Sequence, residues 1–156
     1  MNIKKILIAA VCGRFDMKQI LTSLILFSTF SFATTINVPA DYSTIQAGIN
    51  AANSGDTISV AAGTYVENVF LDNPDGGPYK SINVIGENKN TTIIDGNQNG
   101  SAFRVHRNSD LLLKNFTIQN GTGFESSGGA VNLSGADGTS ATAVLENLIL
   151  KNNPAG

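Results

Sequence analysis

The chain has 156 residues and a formal net charge of −2 that is unevenly split: residues 1–33 carry four bases and one acid, residues 34–156 six bases and eleven acids. An acidic main region without a basic run excludes nucleic acid as the default partner. Charged residues are only 14 % of the chain, against 18 Asn and 16 Gly, which excludes a disordered acidic tail and points to a folded domain. The single cysteine, Cys12, excludes a disulfide framework, and the single histidine, His106, argues against a histidine-cluster metal site.

Residues 1–33 read as a leader. Met17-Lys18 opens a short basic region, Ile20 to Phe32 is nearly all apolar or small, and Ser31-Phe32-Ala33 has the small-x-small form of a cleavage site. The apolar run is shorter than the roughly 20 residues that span a bilayer. These features predict a signal peptide helix, with Met17 the preferred true start and Met1 to Asp16 an upstream extension. Lipid attachment at Cys12 is the alternative, on a poorer sequence context. The expected address is secreted or extracellular surface, with no permanent membrane span in the mature chain, residues 34–156.

The first element after the leader is a helix, expected over 43–53. Ser43 precedes Gln46 at capping-box spacing. Ile45, Ile49 and Ala52 recur at helical spacing, and Gly55 is placed to end the element in a left-handed turn. Its apolar stripe is too narrow to be a domain core, so it is expected to act as a lid.

From Asp56 onward the pattern is short β-branched or aliphatic runs separated by Gly-, Asn- and Asp-rich punctuation. The runs are Thr57 to Val60, Val66 to Leu71, Ser81 to Ile85, Thr91 to Ile94, Ala102 to Val105, Leu111 to Leu113, Phe116 to Ile118, Ala130 to Leu133 and Ala143 to Leu150. Three segments overlay: Ile82-Asn83-Val84-Ile85-Gly86, Leu111-Leu112-Leu113-Lys114-Asn115 and Ala143-Val144-Leu145-Glu146-Asn147. Phe116 to Gly121 likewise matches Leu148 to Asn153, and Ala102 to Val105 matches Ala130 to Leu133.

Each of the three segments ends in a residue that tolerates positive φ, namely Gly86, Asn115 or Asn147. A repeat of strand, one-residue left-handed corner, strand, longer loop and strand is what one coil of a right-handed parallel β-helix requires. Coils stacked about 4.8 Å apart would let corner asparagines bond one above another and would align inward aliphatics such as Ile85, Leu113 and Leu145. The fold class expected is therefore all-β, a right-handed parallel β-helix of three to four coils with a short N-terminal amphipathic capping helix. The repeat is cut in mid-course at Asn152-Asn153-Pro154-Ala155-Gly156, which suggests a truncated domain over 34–156.

The stretch Val38-Pro39-Ala40-Asp41-Tyr42-Ser43-Thr44-Ile45-Gln46-Ala47-Gly48-Ile49, followed by Gly55 to Asn68, resembles the opening of pectin-lyase-fold proteins, among them pectinesterases and secreted bacterial β-helix repeat proteins. Gly128-Gly129-Ala130-Val131 is similar to the repeats of bacterial polymorphic outer-membrane proteins. The resemblance covers Thr35 to the end and implies fold more than activity, because the opening motif is the cap and first coil. Lyases of that fold hold calcium on clustered carboxylates and use a basic residue to abstract a proton; esterases use an Asp pair with an Arg and glutamines. None of those residues maps onto a position of this chain, so no catalytic residue is assigned.

The bottom-up candidates are few. Asp72 and Asp75, in the loop Asp72-Asn73-Pro74-Asp75-Gly76-Gly77, offer two carboxylates with flanking carbonyls to Ca²⁺, though a calcium ion wants six to eight oxygens and Asn-Pro and Asp-Gly are also ordinary turn pairs. No other cofactor is expected. Arg104 and His106 would share an outer face if Phe103 and Val105 point inward, and there they could meet an acidic sugar; a solvated polar face is the plainer reading. Asp95-Gly96 reads as a turn. Tyr65 and Tyr79 could stack on sugar rings, with packing beside the first coil the plainer role for Tyr65. The functional expectation is an exported repeat domain that binds polysaccharide or another cell-surface component without catalysis; the alternative is the opening of a polysaccharide lyase or pectinesterase-like enzyme.

Overall fold

The structure is a computed structural model that describes residues 32–72, 80–123, 128–135 and 138–155. The leader up to Ser31, including Cys12 and Met17, lies outside the described residues, as do Asp75 and Tyr79. Ala33–Gly156 forms one compact unit. No helix of the described residues is long and apolar enough to cross a membrane.

The unit is almost entirely β. Its elements are β1 (Thr35–Val38), α1 (Ile45–Ala51), β2 (Thr57–Val60), β3 (Gly63–Val66), β4 (Val69–Leu71), β5 (Lys80–Gly86), β6 (Thr92–Asp95), β7 (Phe103–His106), β8 (Ser109–Lys114), β9 (Thr117–Gln119), β10 (Val131–Ser134), β11 (Ala141–Glu146) and β12 (Ile149–Lys151). They form three sheets, ordered β1-β2-β5-β8-β11, β12-β9-β6-β3 and β10-β7-β4. Every pairing is parallel. From β2 onward the chain visits the five-, four- and three-stranded sheets in fixed rotation, so, apart from the pairing of β1 with β2, each strand pairs with one about thirty residues away rather than with its sequence neighbour.

The register follows from the alternation of side chains. Ile82 pairs with Leu111 and Val84 with Leu113, while Ala143 and Leu145 pair with Leu111 and Leu113 in turn. The inward column is thus Val84, Leu113 and Leu145; Ile85 is not in it, because it pairs with Lys114 on the outward side. A one-residue step moves a side chain to the other face of a sheet. Ile58, Val60, Ile94, Val105 and Ile118 complete the buried interior with Phe103 and Phe116.

The expected corners are partly as read. Asn115 and Asn147 adopt φ of 64° and 51°, and the Asn147 side-chain amide donates to Asn115 Oδ1 at 2.8 Å. Asn120 and Asn152 form a second left-handed pair, at φ 55° and 51°. Gly86 does not take a positive φ, so the reading of it as a left-handed corner is corrected: a Cβ there would run into the backbone carbonyl of Asn115, at the corner just past the neighbouring strand β8. Close approach, not handedness, requires glycine at this position.

The helix is shorter than the expected 43–53, and its N-cap is Thr44 rather than Ser43. Thr44 Oγ1 accepts from Ala47 N at 3.1 Å. Gln46 bonds elsewhere: its side-chain amide donates to Phe70 O at 3.0 Å and accepts from Phe70 N at 2.6 Å, standing in for a strand against the edge of β4. The Glu67 carboxylate accepts the first two helical N–H groups, from Ile45 and Gln46, each at 3.0 Å. Ile45, Gly48 and Ile49 are buried on the side of α1 that packs on β1, β2 and β4. Gly55 takes φ +96° three residues past the helix's C-cap, in the turn that leads to β2.

Asp56 ties this region together. Its carboxylate accepts from Thr34 N and Asn53 N, both at 2.7 Å, fixing the start of β1 to the exit of the helix. These two backbone hydrogen bonds, Thr34's first, hold its pKa below the ordinary carboxylate value in spite of burial. Asp56→Ala should cost about 2 kcal/mol of unfolding free energy at neutral pH, because the two backbone hydrogen bonds of a buried carboxylate, at about 1 kcal/mol each, are lost. A lowered folded pKa means that this stabilisation is complete above the unfolded value and is lost as pH falls through the folded one. Urea unfolding of both proteins at pH 7 and in acid should therefore show the gap closing in acid; a gap unchanged by pH would deny the carboxylate this role.

Candidate functional site

The three-stranded sheet β10-β7-β4 carries the polar face of interest. Phe103 and Val105 of β7 are buried, so Arg104 and His106 point outward, as their alternation predicts. In register, Arg104 lies between Phe70 of β4 and Asn132 of β10, and His106 lies beside Ser134 of β10. Phe70, Arg104, His106, Asn132 and Ser134, with Gly100 and Ser101 at one margin, line an open cleft of about 270 Å³.

Two subsets of charge behave differently there. The Arg104 guanidinium sits 5.6 Å from the centroid of the Phe70 ring, within cation–π range, and the Phe70 and His106 rings are 6.0 Å apart, tilted by 36°. No hydrogen bond ties the Arg104 guanidinium to any of the described residues, which leaves its planar set of N–H donors presented to the cleft. Asp72, just beyond β4, is by contrast fully engaged. Its Oδ1 accepts from Arg107 Nε at 3.1 Å and its Oδ2 from Arg107 Nη2 at 2.6 Å, the two-pronged form of a guanidinium–carboxylate pair. His106 Nδ1 lies 3.3 Å from the same Oδ1. The Arg107 hydrogen bond, opposed by desolvation and helped by the charges of Arg107 and His106, holds the Asp72 pKa below its ordinary value.

The sequence pairing of Asp72 with Asp75 as calcium ligands thus has one member outside the described residues and the other committed to an arginine. No group of three or more His, Cys, Asp or Glu side chains suited to a metal gathers among the described residues. Asp95 is a turn residue with a network: its Oδ1 accepts from Asn97 N at 2.9 Å, Gln119 Nε2 donates to Oδ2 at 2.8 Å, and the Asn120 amide reaches both oxygens. Led by the Gln119 bond, these contacts lower its pKa. Tyr65 packs against the core and donates its hydroxyl to Ala61 O at 3.0 Å.

Sequence reasoning brought Arg104 and His106 to one face but missed Phe70, Asn132, Ser134 and the Asp72–Arg107 pair. The signal for Phe70 was present, since Val69-Phe70-Leu71 overlays Phe103-Arg104-Val105 with aliphatic or aromatic residues flanking an outward one. Arg107 follows β7, where strand alternation no longer dictates direction. No family model, curated protein or solved structure matches the chain.

Proposed function

We propose that the chain is an exported domain of the pectin-lyase type, a right-handed parallel β-helix in which α1 caps the first coil, and that it binds polysaccharide at the outer face of β4, β7 and β10 without transforming it. The rotation of the chain among three parallel sheets supports the fold reading, and the opening motif supports the kinship. The binding reading is carried by one observation: an arginine without a protein acceptor among the described residues is laid over an aromatic ring in an open cleft edged by amide and hydroxyl groups. Such a surface offers a stacking plane, planar cationic donors for a carboxylate or hydroxyl pair, and neutral polar groups for ring hydroxyls. The Asp72–Arg107 pair holds the His106 ring in place beside it.

Calorimetric titration with an acidic polysaccharide such as polygalacturonate, and with a neutral glucan as comparison, tests the reading. Binding to the acidic chain should weaken about tenfold or more in Arg104→Ala, since hydrogen bonds to charged groups contribute about 1.5–3 kcal/mol. Arg104 is exposed and makes no structural hydrogen bond to the described residues, so the variant's fold should be unchanged. Binding that is indifferent to Arg104→Ala would place the ligand elsewhere, and no binding to either polymer would remove the proposal.

A further inference from the structure

The pairing of Phe70 with Arg104 and of Leu71 with Val105 continues one step to set Asp72 beside His106. Asp72 Oδ1 lies 3.3 Å from His106 Nδ1 and also accepts from Arg107 Nε at 3.1 Å, while Oδ2 accepts from Arg107 Nη2 at 2.6 Å. Held by a guanidinium through both oxygens, and with its pKa below the ordinary value, this carboxylate is ionised at neutral pH. An ionised carboxylate only accepts hydrogen bonds. The hydrogen between it and the imidazole therefore sits on Nδ1.

A neutral imidazole carries one ring hydrogen, so fixing it on Nδ1 leaves Nε2 as a bare acceptor. No hydrogen bond reaches Nε2 from the described residues, and the ring lines the cleft with its centroid 6.0 Å from that of Phe70. Arg104, two positions earlier and so about 6.6 Å away along the strand, is opposite in kind: a cation that only donates. Phe70 lies against it as well, 5.6 Å from the guanidinium. One aromatic plate is thus flanked by a set of donors and by an acceptor. All of these groups belong to β4, β7 and the residues directly after them, and none to β10.

We propose that His106 is a specificity-determining residue of this site, its Nε2 accepting from a free hydroxyl of the sugar whose carboxylate Arg104 binds, and that Asp72 is the positioning residue that fixes the ring hydrogen on Nδ1. The inference rests on the binding reading above and narrows it, from acidic chains in general to uronate residues that keep an unsubstituted ring hydroxyl. A polymer of the same charge whose ring hydroxyls are acetylated brings no donor to Nε2. It is discriminated against because a polar group of the site that the free polymer satisfies is then left unpaired.

His106 is the only histidine of the chain, so a long-range proton–nitrogen spectrum of the untagged protein in mildly alkaline buffer reports this ring alone. It should show hydrogen on Nδ1 and a bare Nε2; the reverse tautomer or a doubly protonated ring would overturn the proposal. Asp72→Ala should release the ring toward the Nε2–H form that predominates in free histidine, and an unchanged tautomer would deny Asp72 the positioning role. Calorimetry with polygalacturonate and with its O-acetylated derivative, on the unmodified chain and on His106→Phe, reads the specificity. His106→Phe keeps a ring in place and should weaken binding of the free polymer about fivefold, the size of one neutral hydrogen bond. Acetylation should weaken binding to the unmodified chain and make little further difference to the variant. An equal acetylation penalty in both proteins would mean steric exclusion and overturn the proposal. Binding that needs Arg104 but ignores His106→Phe overturns this inference alone, whereas absence of polygalacturonate binding removes the binding reading and this inference together.

Discussion

Phe103→Ala will lower the unfolding free energy by about 4 kcal/mol, within the range of about 3–5 for truncating a buried phenylalanine. Phe103 is fully buried, at 0 % exposure. It lies on β7, the central strand of its sheet, in register with Val69 on one side and Val131 on the other. Parallel ladders on both sides hold the backbone, so the walls of the cavity cannot move together to close it. Domains of this size are stable by only about 5–15 kcal/mol, and one such loss takes a large share. Guanidinium unfolding followed by circular dichroism reads the change directly. A loss under about 1 kcal/mol, the size of an exposed substitution, would mean that Phe103 is not enclosed as described.

Gly86→Ala should cost about 2–3 kcal/mol, the scale of forced overpacking. The added methyl would meet the Asn115 carbonyl oxygen, lie 3.2 Å from the Asn115 carbonyl carbon and 3.2 Å from Thr92 Cβ. Two of those three atoms are backbone of the Asn115 corner, which follows β8 directly and is held by its N–H bond to Glu146 O, so relief requires spreading β5 from β8. The substitution is informative because the backbone at Gly86 lies outside the left-handed region. Alanine is conformationally acceptable there, and only the close approach of the next circuit makes it costly. A neutral result in the same unfolding experiment would mean that Gly86 and Asn115 are not stacked.

Much of this architecture was legible because it is written in local patterns. Thr57 to Val60 reads as a strand from alternation alone, and the overlay of Leu111 to Asn115 on Ala143 to Asn147 gives the register found in the structure. The asparagine corners were legible because few other side chains adopt positive φ cheaply. Less accessible was whatever depends on atoms brought together from distant positions. β1 was missed because Thr35 to Val38 adjoins the leader and gains its strand character only from pairing with β2. Gly63 to Val66 was passed over because Gly63 is a poor strand former, yet its pairing with Thr92 supplies the missing context. Gln46 and Glu67 illustrate the same limit: sequence spacing assigned Gln46 to the helix's own cap, whereas the structure turns it to the β4 edge and leaves the first helical N–H groups to a glutamate 22 positions from Ile45.

The cleft follows that division. Its Arg104–His106 half follows from strand alternation, and its Phe70 and Asn132 parts need the parallel register of three strands. Asp72 belongs to the second kind: the acidic turn is visible in the sequence, but the arginine that pairs with it, Arg107, comes from 35 positions away.

The feature on which all of this depends is parallel stacking of strands about thirty residues apart. Nuclear Overhauser contacts in the isotope-labelled chain measure it directly. Methyl contacts linking Val84 to Leu113 and Leu113 to Leu145 should be strong, with an absence of the short Hα–Hα contacts that mark antiparallel pairs. Short Hα–Hα contacts between successive strands such as β8 and β9 would instead show hairpins, and would contradict the stacked arrangement.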